Sequence, residues 1–151
     1  MIIRPILNAT LKTNGVRVSA TSDDQSPKGE LAIRVLAMPA NTNRNGDIFG
    51  GWLLGQMDMA GEITVSKLSK SRCVTVAVDA MSFRKPVFVG DVVAIHVDVT
   101  RVGKTSASVS IEAWVVRRNE TAPILVTQGK FTYVAIDDDG HPKIIAQQAA
   151  G

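Results

Sequence analysis

The stretch NRNGDIFGGWLLGQMD, from Asn43 to Asp58, decides how this chain is read. Asn45-Gly46-Asp47 is a turn former, and Gly50-Gly51 opens a helix that carries a carboxylate, Asp58, about two turns further along. Paired glycines at a helix start leave backbone N–H groups that no side chain shields. Such groups can hold a carbonyl oxygen as negative charge develops on it. A carboxylate on the same helix is suited to activate water or to attack an acyl group. The combination points to acyl transfer without a Ser, Cys or His nucleophile.

Working outward, the helix is expected over residues 51–69, with Leu54, Met57, Gly61, Val65 and Leu68 forming one apolar face. Gln56, Glu62, Ser66 and Lys70 are expected on the opposite side. Asp58 follows Leu54 by four residues and so borders the apolar face, where a carboxylate is costly unless it is paired or used. Gly55, Ala60 and Gly61 suggest a helix pressed closely against a sheet.

Before the helix, residues 30–38 read as a strand stopped by Pro39. After it come strand-like segments at 72–83, 91–101, 105–116 and 124–136, with clean alternation in the middle two. Val102-Gly103-Lys104 is a tight hairpin connection, and residues 117–123 form a looser turn. The expected order is one strand, a long helix, then four strands in a meander, an α+β domain. One helix cannot cover both faces of such a sheet, so oligomerisation is expected.

At 151 residues the chain is one domain, expected over 28–140. Residues 1–27 are expected to be a flexible tail and 141–151 a short C-terminal one. No apolar run reaches the roughly 20 residues of a membrane span, and a soluble cytoplasmic protein is expected. Cys73 is the only cysteine, which excludes an intrachain disulfide, and its apolar neighbours predict a buried, inert thiol. The net charge of +3 is scattered and aromatics are 5%, which argues against a nucleic-acid surface and suits an anionic small molecule.

Met38-Pro39, the NGDIFGGW run, QMDMAG at 56–61 and FRKPVFVGD at 83–91 stand in an order that resembles the hotdog-fold acyl-CoA thioesterases. The likeness is to the bacterial YciA-like group, related to the cytosolic acyl-CoA hydrolases, and it covers residues 29–140. It implies a long central helix wrapped by an antiparallel sheet of five or more strands. It also implies a homodimer whose sheets join side by side, often assembled into a trimer of dimers. The implied reaction, within fatty acid metabolism, is hydrolysis of acyl-CoA at the dimer interface. Asp58 would be the general base or nucleophile, Asp47 would contribute from the other subunit, and N–H groups around Gly50 and Gly51 would polarise the carbonyl. CoA would lie across Phe83-Arg84-Lys85-Pro86 and the turn Val102-Gly103-Lys104-Thr105-Ser106, with Asn45 near the substrate. No metal and no cofactor beyond the CoA of the substrate are implied.

Each of these residues has a plainer reading. Asp47 would cap the helix, Gly50-Gly51 would serve an unusual backbone conformation, and Asp58 would pair with a neighbouring cation. His96 and His141 read as surface residues, and Trp52 and Trp114 as packing residues. Hotdog dehydratases use a His near the helix start, and none stands there. No G-x-S-x-G, Walker sequence or metal-ligand cluster is present. A non-catalytic acyl-CoA sensor of the same fold is the alternative function.

Overall fold

The computed structural model describes residues 26–146; the expected N-terminal tail lies almost wholly outside them. The elements are β1 (Glu30–Leu36), α1 (Gly50–Ser69), β2 (Arg72–Phe83), β3 (Val92–Val102), β4 (Ser106–Val116) and β5 (Ile124–Ile136). The strands form one antiparallel sheet in the order β1-β3-β4-β5-β2, wrapped around α1.

The expected four-strand meander holds only for β3-β4-β5. β2 pairs with β5 and forms the far edge of the sheet. The reason is the connection after it, which crosses the end of the sheet under its own hydrogen bonds. Arg84 and Lys85 donate backbone N–H to Val126 O, and Ile48 N donates 3.0 Å to Val87 O. Arg117, at the end of β4, donates Nη2 to Pro86 O at 2.9 Å, pairs with Asp91 at 3.4 Å and lies over the Phe88 ring. This clamp ties the crossing loop to the end of β4, while the Ile48–Val87 bond ties it to the segment that leads into α1.

Alternation decides which faces are buried. Val109, Ile111, Ala113 and Val115 of β4, with Val93, Ile95 and Val97 of β3, point at the helix. Burying each Val or Ile stabilises by about 1.5–3 kcal/mol. On α1 the buried residues are Leu53, Met57, Ala60, Gly61 and Val65. The inner face is therefore rotated from the expected one: Leu54 and Leu68 are only half-buried. Gly61 packs against the sheet as expected, because a Cβ there would fall on the ring and oxygen of Tyr133. Gly55 does not, since a Cβ there meets nothing within 4 Å.

Glu112 of β4 is buried and accepts from Lys28 N and Trp114 Nε1, both at 3.0 Å. Two further expectations are corrected. Cys73 is half-buried, with Sγ 3.4 Å from Ser69 Oγ. Residues 141–146, expected as part of a tail, return to the sheet: Lys143 N donates to Ala135 O, Ile145 N donates to Lys104 O, and the Ile145 side chain joins the core.

Candidate active site

Asp58 lies half-buried on α1, over the cross-strand pair Thr75 of β2 and Tyr133 of β5. Thr75 Oγ1 donates to Asp58 Oδ1 at 2.6 Å. The Tyr133 hydroxyl lies 3.1 Å from the same oxygen and 3.0 Å from the Asp58 carbonyl. No cation pairs with Asp58 among the described residues, so its plainer reading as an ion-pair member fails. Both hydroxyl partners were missed in the sequence. No sequence signal singles them out, because threonine and tyrosine are ordinary strand residues and both strands carry other polar side chains.

Burial and the adjacent Asp58 carboxylate hold the Tyr133 phenol well above its ordinary range. The unfolded phenol titrates near pH ~10, so below that pH both states carry the proton and the contribution of this group is complete. Above it, the unfolded chain releases a proton that the folded one keeps, and stability falls as pH rises. Tyr133 is the only tyrosine. Urea midpoints compared near pH ~8 and ~11 should therefore fall more steeply in wild type than in Tyr133→Phe, and equal slopes would contradict this linkage.

The helix start lies elsewhere. Phe49 is the N-cap residue and makes no side-chain cap bond, so Asp47 does not cap α1. The first N–H groups of the helix are thus left without a side-chain acceptor. Gly50 and Gly51 do not have positive φ, and at Gly51 a Cβ would meet nothing within 4 Å. Neither backbone conformation nor packing requires glycine at Gly51. Asn43 Oδ1 organises the preceding loop, accepting from Asn45 N at 2.8 Å and Asp47 N at 3.2 Å. Asn45 is exposed and Asp47 half-buried. The exposed Phe83 ring passes 3.3 Å from where a Gly50 Cβ would sit, and exposed Arg84 and Lys85 follow it.

The remaining expected residues lie at the opposite end of the sheet. In the turn Val102 to Ser106, Gly103 N donates to Ser106 O at 2.7 Å and Lys104 is exposed. Phe83 pairs with Thr127 and Ser106 with Val134, positions about 23 Å apart along β5. Gly51 and Asp58 share one face of α1 but stand about 10.5 Å apart along its axis. The expected site residues therefore fall on one chain into two separated groups. The first joins Gly50, Gly51, Asp47, Phe83, Arg84 and Lys85; the second joins Asp58, Thr75, Tyr133 and the turn 102–106. A cleft of about 640 Å³, lined by Leu31, Ile63 and Val99, includes neither.

The turn that holds half-buried Asp137 and exposed Asp139 and His141 brings three ligand-type atoms within 4.8 Å of one another. Asp137 Oδ1 there already accepts from Asp139 N and His141 N, the bonding of the turn itself. No helix among the described residues is long and apolar enough to cross a membrane.

A model of the thioesterase superfamily matches residues 45–122. The acyl-CoA thioester hydrolase YciA of Salmonella typhimurium is 47% identical over 132 residues, covering 85% of this chain and 98% of that protein.

The chain belongs to the thioesterase superfamily.

A hexameric thioesterase from Yersinia pestis superposes with a TM-score of 0.77 at 48% identity, covering 81% of this chain and 99% of that one. This likeness bears out the hotdog fold. A Staphylococcus aureus acyl-CoA hydrolase, solved with butyryl-CoA and CoA, superposes with a TM-score of 0.70 at 28% identity, covering 75% of this chain and 69% of that one. Structures of that hydrolase also include single alanine variants at an Asn, an Asp and a Thr.

Proposed function

We propose that this protein is an acyl-CoA thioesterase, hydrolysing the thioester to a free carboxylic acid and CoA at a site shared by two subunits. The observation that carries this reading is the Asp58 carboxylate, paired with no cation among the described residues and anchored by Thr75 and Tyr133 on a helix whose N-cap residue makes no side-chain cap bond. The intervals agree with it. In the staphylococcal hydrolase the Asn, Asp and Thr replaced by alanine stand 15 and 17 residues apart. Asn43, Asp58 and Thr75 repeat the residue types and both intervals.

Two subunits solve the problem of the separated half-sites. β2 is an edge strand of 12 residues with Val74, Val76 and Val78 exposed, the kind of edge that pairs with another chain. Antiparallel pairing of two β2 edges about a two-fold axis sets the first half-site of one subunit beside the second half-site of its partner. CoA then takes cations from both ends, Arg84 and Lys85 from one subunit and Lys104 from the other. The hexameric relatives support further assembly as a trimer of dimers.

In this site Asp58 takes a proton from a water whose oxygen adds to the thioester carbon. The N–H groups around the partner's Gly50 and Gly51 hold the oxyanion, and Asp47 beside them orients water or substrate. The adduct collapses with cleavage of the C–S bond. The proton on Asp58 passes to the departing sulfur, giving acid and CoA thiol. Attack by Asp58 itself, with an anhydride hydrolysed in a second step, would use the same carboxylate. Neither route calls on a metal or a bound cofactor.

Free-thiol release from short, medium and long acyl-CoAs tests the reading. Turnover of at least one of them is expected. Saturable CoA binding with no thiol released from any would instead make the protein an acyl-CoA sensor.

A further inference from the structure

The two hydroxyls that reach Asp58 meet at one oxygen of its carboxylate. Thr75 donates to Oδ1 at 2.6 Å, the Tyr133 hydroxyl lies 3.1 Å from Oδ1 and 3.0 Å from the Asp58 carbonyl, and no described residue donates to Oδ2. A carboxylate oxygen has room for two donors, so the sheet-side oxygen is filled and the other is not. We infer that Tyr133 is a positioning residue for the hydrolysis: with Thr75 it fixes the Asp58 carboxylate and leaves Oδ2 as the only reacting oxygen. The inference rests on the assignment of Asp58 as base or nucleophile.

Packing alone does not account for a tyrosine here. Its ring is fully buried and stacks on Phe131 at 6.4 Å, and a phenylalanine would fill the same space. The hydroxyl adds a polar atom to the interior, which is stable only because Asp58 accepts from it. Gly61 makes room for that hydroxyl. It lies three residues after Asp58 on α1, it does not have positive φ, and a Cβ there would fall on the phenol oxygen. Because Thr75 and Tyr133 are register partners, the ladder between β2 and β5 sets the position of both donors. Rotation of the carboxylate about its last torsion only exchanges which oxygen they hold.

The test is steady-state kinetics on Tyr133→Phe, Thr75→Val, their double variant and Gly61→Ala, with Asp58→Asn assayed alongside. Tyr133→Phe should lower kcat about tenfold with KM within about twofold and the far-ultraviolet circular dichroism spectrum unchanged. A merely structural role would not confine the loss to kcat. Because both hydroxyls act on one oxygen, the double variant should lose less than the product of the two single losses. Gly61→Ala keeps the phenol but displaces it, and should reproduce the kcat loss. Wild-type kcat in Tyr133→Phe beside an inactive Asp58→Asn would overturn the inference and leave the Asp58 assignment standing. Full activity in Asp58→Asn would overturn both.

Discussion

Asp58→Asn is expected to fold normally and to lose turnover by about 10³-fold, within the range for removal of a general acid–base group. The amide has the shape of the carboxylate and still presents one oxygen, so Thr75 and Tyr133 keep an acceptor and the half-buried site keeps its packing. The amide cannot take a proton from water and is a poor nucleophile. The loss should therefore fall on kcat, with KM for acyl-CoA little changed. Initial rates of thiol release, with the thermal midpoint as the folding control, measure it. An unchanged rate in a folded variant would remove Asp58 from the chemistry.

Gly51→Leu should produce a comparable loss from the other half-site, and it separates chemistry from folding more sharply. Gly51 is exposed, lies in the first turn of α1, does not have positive φ and has open space where a side chain would go. Replacing glycine in a helix by a good helix former stabilises by roughly 1 kcal/mol in an interior position and less at an end. The thermal midpoint should therefore hold or rise. Over the same N–H groups, however, a leucine side chain obstructs the approach of the thioester carbonyl, and loss of oxyanion contacts costs about 10²–10³ in rate. A folded Gly51→Leu with wild-type activity would exclude the helix start from catalysis. A large fall in midpoint would mean that the glycine serves the fold after all.

Much of this architecture was legible because it depends on local pattern. Alternation in residues 91–101 and 105–116 placed those strands to within a residue or two, and the glycine pair placed the start of α1. The position of β2 was not legible. Period-two patterning says which face of a strand is buried, but not which neighbour it pairs with, and that depended on the Arg117 clamp across residues 86–91. The rotation of the inner helix face, with Leu53 and Ala60 buried in place of Leu54, escaped for a related reason. Both leucines suit an apolar stripe, and only the packed sheet distinguishes them. At the site, the carboxylate and the glycines stood out in the sequence. Thr75 and Tyr133 did not, since a threonine or tyrosine in a strand is ordinary until the helix above it is known.

Because the two half-sites stand apart on one chain, subunit mixing reveals whether two chains share one site. Asp58→Asn and Gly51→Leu, each inactive alone, would be dissociated, mixed in equal amounts and reassembled, with differently tagged chains verifying exchange. In a mixed dimer, one site combines the intact Asp58 of the Gly51→Leu chain with the intact helix start of the Asp58→Asn chain. Half the dimers are mixed, and each has one good site of two, so about a quarter of wild-type thiol release should return. A mixture that exchanges subunits yet stays as inactive as its parents would contradict a site shared between two chains.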